Sequence, residues 1–203
     1  MAFPIGSNES KAGGRTLIAE GVKSAVCVGF FDLGFQVSNY KGEEKIQRKV
    51  LFTWEVNQQI TEGDYVGKNM RISNRYTLSS FKNALLGKML TSWTGKAMDE
   101  QALREFDLES LVGKPCMLMI IHNGEYANVE TVMQLADGMS PLAPNEILTE
   151  APDWVKSIQA KSVGDPNKVE HGMEDVQERE THTETKEPDD IQSKDVQYDD
   201  IPF

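Results

Sequence analysis

Residues 48–78 read RKVLFTWEVNQQITEGDYVGKNMRISNRYTL. Apolar and polar side chains alternate at both ends of this stretch, over residues 48–56 and again over residues 70–78. An alternation with a period of two is typical of a half-buried β-strand, and Gly63 lies between the two runs as a turn signal. The stretch therefore predicts two neighbouring strands, each with one apolar and one polar face.

Three more strands are predicted around this pair. A Val- and Phe-rich run over residues 21–31 has the alternation of a largely buried strand, and it can continue past a bulge at Gly34. Two strand-like runs near the end of the domain cover residues 115–122 and 126–135. The dipeptide Asn123-Gly124 between them is typical of a tight hairpin turn. We therefore expect five strands, of which the last two form a hairpin.

The predicted order of elements is three strands, a helix and then the hairpin. The helix begins at Ser79 or Ser80, whose hydroxyl can cap it, and runs to about residue 91. Five strands with one helix between the third and the fourth is the order of an OB-fold, a small and partly open Greek-key barrel. The predicted fold class is thus mainly β (α+β), with a five-stranded OB-fold-like barrel, although other small α+β arrangements share this order.

The chain is acidic overall but basic in its middle. The full sequence carries 21 Lys and Arg against 32 Asp and Glu, whereas residues 41–96 carry ten basic residues against five acidic ones. Aromatic residues are interleaved with these charges. A positive surface with flat rings suits single-stranded nucleic acid, because phosphates attract cations and unpaired bases stack on aromatic faces. The alternative is that the aromatic residues form the core and the charges are an ordinary solvated face.

Nine residues are candidates for contacting DNA. Arg71 and Arg75 come first, because their face of the third strand is polar while the opposite face is apolar. Lys49 is their expected neighbour on the second strand, with Arg48 as the alternative if the faces of that strand are inverted. Trp54 alternates with apolar residues, so packing in the core competes with stacking on a base. The full set is Tyr40, Lys41, Lys45, Arg48, Lys49, Trp54, Arg71, Arg75 and Lys82.

The sequence contains no pattern that indicates an enzyme or a membrane protein. The longest apolar run, residues 116–121, is far too short to span a bilayer, and residues 1–15 do not resemble a secretion signal. Cys27 and Cys116 lack metal-ligand spacing and lie in apolar strand-like runs, which predicts buried and reduced thiols. We therefore expect a non-enzymatic protein with no cofactor and no metal. Its expected location is the cytoplasm.

The hydrophobic pattern ends before the last forty residues. Residues 164–203 hold 13 acidic and 4 basic side chains, and such a segment buries too little apolar surface to fold. The predicted organisation is a flexible leader at 1–15, an OB-fold DNA-binding domain at 16–160 and a disordered acidic tail at 161–203. The tail ends in Asp199-Asp200-Ile201-Pro202-Phe203, whose ring and carboxylates suit an apolar pocket with a basic rim.

The last five residues resemble the tip of bacterial single-stranded DNA-binding proteins. In that family the tip recruits replication and repair proteins, and the acidic tail competes with DNA for the binding groove. Independently, the domain resembles a family of bacteriophage single-stranded DNA-binding proteins with an OB-fold. The segments that carry this second resemblance are Phe31-Asp32-Leu33-Gly34, Trp54-Glu55, Arg75-Tyr76-Thr77-Leu78-Ser79, Leu111-Val112-Gly113-Lys114-Pro115-Cys116-Met117-Leu118 and Tyr126-Ala127-Asn128-Val129.

Both resemblances imply a single-stranded DNA-binding protein with little sequence preference. Such a protein protects single strands during replication, recombination and repair, and it recruits partner proteins through residues 199–203. The domain departs in sequence from the bacterial tetrameric type, so quaternary structure and groove residues do not transfer, and a homo-oligomer stays open. The rival from another class is a protein-interaction module or DNA mimic that sequesters host repair or replication factors without binding DNA.

Overall fold

One five-stranded sheet dominates the part of the chain that the structure describes. The computed structural model describes residues 16–40 and 42–166, so the predicted leader at 1–15 and most of the predicted tail lie outside it. In chain order the elements are β1 (Gly21–Tyr40), β2 (Glu43–Gln59), β3 (Asn69–Thr77), α1 (Leu85–Thr94), α2 (Glu100–Glu105), a 3-10 turn (Glu109–Leu111), β4 (Pro115–Asn123), β5 (Tyr126–Met133) and α3 (Asp153–Gln159). None of the helices within these residues is both long and apolar enough to cross a bilayer.

β1 and β2 form a hairpin that is longer than the sequence pattern predicts. The ladder continues beyond the two predicted strands as far as the pair Tyr40 and Glu43. Its register shifts between Asp32 and Gly34, where Gly34 has a φ of 70°, which confirms the predicted bulge. A Cβ atom at Gly34 would also collide with Ser162, so both the backbone conformation and the close approach favour glycine.

The core lies between one face of the sheet and α1. β2 contributes its even-numbered residues 50–56 to this core, and β3 contributes Ile72. The apolar side chains of both strands therefore lie on the face that the alternation predicts. α1 packs against them through Trp93, whose indole Nε1 donates a hydrogen bond to a backbone carbonyl of β4 at 3.0 Å. Cys27 and Cys116 are buried free thiols in this core, also as predicted. We call this side of the sheet the inner face and the opposite side the outer face.

α1 begins later than the sequence predicts. Its N-cap position is Ala84 and receives no side-chain cap. Ser79 instead accepts a hydrogen bond from the Phe81 backbone N–H at 3.3 Å, within the turn that precedes the helix. Gly95 ends the helix in the left-handed conformation, with a φ of 69°. Lys82 therefore lies in a turn before the helix and not on its first turn.

The strand order is β3-β2-β1-β4-β5, and all the pairings are antiparallel. The predicted hairpin between β4 and β5 is confirmed, with Gly124 at a φ of 62° in its turn. In the described part of the chain no backbone ladder joins β3 to β5, so the expected barrel is not closed. One side-chain hydrogen bond crosses the opening, from Asn74 Nδ2 to the Val129 carbonyl at 3.5 Å. The mainly β class with five strands is confirmed, and the sheet is open.

Residues 145–163 return across the outer face of the sheet. Within this segment α3 buries Val155 and packs on a second apolar cluster that includes Leu51 of β2. The Val163 backbone N–H then donates to the Phe35 carbonyl at 2.9 Å and forms a bridge to β1. The segment therefore covers the part of the outer face over β1 and β2, and it stays attached to the sheet just past the predicted domain boundary at residue 160.

Candidate nucleic-acid interface

The outer face of β2 and β3 is built from odd-numbered residues of both strands. Thr53 Oγ1 and Ser73 Oγ lie 2.8 Å apart across the ladder, so these two odd-numbered residues share one face of the sheet. Because side chains alternate along a strand, the cations of this face stand on the side opposite the core. The four opposed pairs are Lys49 with Thr77, Leu51 with Arg75, Thr53 with Ser73 and Glu55 with Arg71.

Arg71 is engaged in an internal ion-pair network. Its Nε and Nη2 donate to Glu55 Oε1 at 3.1 and 3.0 Å, and Nη2 also donates to Glu146 Oε2 at 3.1 Å. Glu55 is fully buried, and its second oxygen accepts the Asn145 backbone N–H at 2.6 Å. Two carboxylates thus surround one guanidinium. Arg71 is therefore not a free cation, because its charge fixes the returning segment to the sheet, and this leaves it less suited than Arg75 to the predicted contact with DNA.

Arg48 is also paired, and it does not share the face of Arg75. Its Nε donates to Asp32 Oδ2 at 3.0 Å, and its Nη2 binds the same oxygen. Burial acts to raise the pKa of Asp32, but hydrogen bonds from Arg48 and from the Gly34 N–H, together with the charge of Arg48, lower it below its usual value. The alternative that Arg48 replaces Lys49 as the neighbour of Arg75 is therefore wrong.

Lys49 and Arg75 are the two outer-face cations that stay available. Lys49 lies opposite Thr77 and Arg75 lies opposite Leu51, so the two are diagonal neighbours roughly 7 Å apart. Within residues 16–40 and 42–166, neither forms an ion pair with a carboxylate. Arg75 is exposed and Lys49 is half-buried. We call these two residues the cation pair.

The remaining candidates for contacting DNA do not all lie on the outer face of β2 and β3. Lys45 is exposed near the end of the β1–β2 hairpin, on the same face of β2 as Lys49, and its Nζ lies 3.6 Å from a Glu43 oxygen. Tyr40 ends β1, and Lys41 lies outside the described residues. Lys82 is exposed in the turn before α1. Only Lys45 thus extends the line of the cation pair along β2.

Trp54 belongs to the core and is not a stacking residue. It has no exposed surface, and its ring lies 5.8 Å from that of Phe52, centroid to centroid, at an angle of 23°. Its indole Nε1 is buried and has no hydrogen-bond partner among residues 16–40 and 42–166. The proposed contact of Trp54 with a base is therefore wrong, and the core alternative is confirmed. Tyr76 is likewise core, and burial raises its pKa to about 12.

A groove of about 650 Å³ opens along the unpaired edge of β3. Arg71 and Ser73 line it from the outer face, Tyr126 from the start of β5, and Trp154 from the first turn of α3. Both aromatic side chains are exposed. Ser73 is two residues from Arg75 on the same face of β3, so the groove continues directly from the cation pair. We call it the aromatic groove.

Sequence reasoning did not select the two aromatic residues of this groove. Tyr126 follows the Asn123-Gly124 turn, a position where a ring has little apolar company and is often exposed. Trp154 begins a short helix after Pro152, and helical spacing alone does not show which of its residues face the sheet. The return of the 145–163 segment is a long-range contact, so no local signal places Trp154 beside β3.

Comparisons with known proteins give no relative for this chain. It matches no protein-family model, and searches of curated proteins and of solved structures return no similar chain. Among the residues that the structure describes, no three His, Cys, Asp or Glu side chains are grouped so that they could hold a metal ion. The function is therefore argued from the outer face and the aromatic groove.

Proposed function

We propose that the chain binds single-stranded DNA along the outer face of β3 and the Lys49 end of β2, with little sequence preference. The observation that carries this proposal is the cation pair, Lys49 and Arg75, which no carboxylate neutralises within the described residues. Unpaired strands are held by cations that neutralise phosphates and by surfaces on which bases stack. The half-buried hydroxyl of Ser73, two residues from Arg75 on the same face, adds a hydrogen-bonding group for the backbone.

The strand order supports an OB-fold for this domain. The connectivity runs β3-β2-β1-β4-β5 with helices between β3 and β4, and Asn74 of β3 reaches Val129 of β5. Closing the sheet at that point would give the Greek-key barrel of an OB-fold, and OB-folds commonly bind oligonucleotides across their second and third strands. We assign the fold as an OB-fold opened between β3 and β5, with the cation pair on its usual binding face.

The acidic tail is assigned a recruiting role. Residues 199–203 lie outside the described residues, and their assignment depends on their resemblance to the bacterial tip. When DNA occupies the cation pair, the acidic tail is displaced into solvent, where the tip can bind replication, recombination and repair proteins. The acids of the tail compete with DNA for Lys49 and Arg75 through long-range attraction.

One observation favours the rival function of a protein-interaction module. Arg48, Arg71 and Lys45 are each paired with carboxylates of the same chain, and the chain carries a net charge of −11. A protein that mimics DNA needs negative charge and has no use for free cations. The retained cation pair argues against this rival, and direct measurement of DNA binding separates the two.

The test is an equilibrium titration of the full chain at low salt. Fluorescence anisotropy follows a labelled oligo-dT of about 35 nucleotides and, separately, a duplex of the same length. We expect tight binding to oligo-dT, much weaker binding to the duplex, and about a tenfold or larger loss of oligo-dT affinity in the K49E/R75E variant. The matched control is K88E/K96E, which makes the same charge change at two exposed lysines outside the outer face. A chain that ignores oligo-dT, or a control that loses as much affinity as K49E/R75E, contradicts the proposal.

A further inference from the structure

The aromatic groove lies next to the cation pair but differs from it in charge. Arg71 is the cation of the groove, and Glu55 and Glu146 already balance it. Glu125 also lines the groove. The groove therefore has no net positive charge with which to hold a phosphate, although it carries two exposed rings.

We propose that the groove receives the unpaired bases of the bound strand, with Trp154 and Tyr126 as the stacking surfaces. This inference rests on the proposed function, because it assumes that the sugar–phosphate backbone follows Lys49 and Arg75. From Arg75 the next outer-face residue along β3 is Ser73, which lines the groove, so a strand that follows β3 passes its opening. Phosphates then lie on the cations and away from the carboxylates of the groove, and bases turn toward its rings.

The ring of Trp154 is held by a well-anchored segment. Its neighbour Val155 is fully buried, and α3 packs on the outer face through that residue. Upstream, Asn145 donates its backbone N–H to buried Glu55 at 2.6 Å, and Glu146 binds Arg71. A ring on a rigid element loses little conformational entropy when a base stacks on it. The burial of Val155 and the hydrogen bond from Asn145 thus position the stacking residue, and both remain when Arg71 is replaced.

The exposure of the three tryptophans provides a direct test. Trp54 is 0% exposed and Trp93 is 4% exposed, whereas Trp154 is 47% exposed. Quenching of the intrinsic fluorescence by a bound oligonucleotide therefore reports mainly on Trp154. The groove also has an exposed tyrosine, Tyr126, that can be removed without disturbing the core.

The experiment titrates the full chain with oligo-dT and records two signals, the anisotropy of labelled DNA and the tryptophan emission. We expect oligo-dT to quench the emission and W154A to lose this quenching together with about fivefold or more of the affinity, since stacking on an aromatic ring contributes that much per base. Y126A is expected to lower affinity in the same direction. W154F keeps a flat ring and should keep most of the affinity. F81A, which removes an exposed ring outside the groove, is the matched control.

The outcomes separate the two proposals. If the anisotropy shows binding while the emission is unchanged and W154A binds as the native chain does, the inference about the groove is wrong and the proposed function stands. If W154F loses as much affinity as W154A, stacking is not the role of Trp154 and the inference is again wrong. If neither signal responds to oligo-dT, the proposed function fails and the inference fails with it. Thermal unfolding of each variant shows whether a loss comes from unfolding.

Discussion

Replacing Arg71 with Met should destabilise the protein while sparing its affinity for DNA. Arg71 supplies two of the three hydrogen bonds that Glu55 accepts, and the third comes from the Asn145 N–H. The carboxylate of Glu55 has almost no access to water. Arg71→Met therefore leaves a buried charge with one hydrogen bond and no counter-charge, which is the costly way to break an internal ion pair.

The magnitude follows from how well each partner is buried. Removing one member of a buried pair typically costs about 3–5 kcal/mol. The Arg71 side chain is 36% exposed, so water can approach the pair, and we expect about 2–3 kcal/mol for Arg71→Met. Glu55→Gln should cost less, about 1–2 kcal/mol, because Arg71 keeps Glu146 and solvent. The double variant should cost less than the sum by about 1 kcal/mol, since the two side chains contact each other.

Urea unfolding followed by tryptophan emission measures these free energies. Arg75→Met is the matched control, because Arg75 lies on the same face of β3 but forms no ion pair within the described residues, and it should change stability by less than about 0.5 kcal/mol. In DNA titrations the order reverses, with Arg75→Met losing affinity and folded Arg71→Met keeping it. The reasoning is refuted if Arg71→Met is as stable as Arg75→Met, or if it loses more DNA affinity.

Three further predictions concern Asp32, Trp54 and the acidic tail. The folded-state pKa of Asp32 is lowered, so its pair with Arg48 stabilises the protein above the unfolded pKa of about 4, and this contribution is lost as the pH falls through the folded value. Asp32→Asn should therefore cost more stability at pH 7 than at pH 3, and equal losses at both pH values in unfolding measurements would contradict this. Trp54→Ala should lower the free energy of unfolding, measured in urea, by about 3–5 kcal/mol because the side chain is fully buried. A large loss of DNA affinity without a loss of stability would instead show that Trp54 contacts DNA. Deleting residues 190–203 should tighten oligo-dT binding at low salt and have little effect at high salt, where charges are screened; unchanged or weaker binding at low salt rejects competition by the tail.

The sequence was sufficient to predict five strands and the faces of β2 and β3, although β1 and β2 extend further than predicted. Alternation in β2 and β3 placed Lys49, Arg71 and Arg75 on one side and the core on the other, because a strand's side-chain period is fixed by its backbone. Alternation could not distinguish Arg71 from Arg75. Arg71 is neutralised by Glu55, 16 residues away, and by Glu146, 75 residues away, and both contacts depend on the tertiary fold.

The returning segment explains most of what was missed. Residues 145–163 carry little periodic pattern, yet they cover Leu51 and bring Trp154 to the edge of β3. The late start of α1 has a local cause, since Ser79 uses its hydroxyl to form a turn with Phe81 and not to cap a helix. Trp54 was ambiguous for a physical reason as well, because a tryptophan suits both a core and a stacking surface.

The salt dependence of oligo-dT affinity tests most directly whether the bound strand follows the cation pair. Each phosphate contact to a single strand contributes about 0.7 to the slope of log K against log salt concentration. The variant K49A/R75A should therefore have a slope that is less steep than that of the native chain by about 1.4. The control K88A/K96A, at two exposed lysines outside the outer face, should have the native slope. A slope that stays the same in K49A/R75A, or that falls equally in the control, would place the DNA elsewhere on the protein.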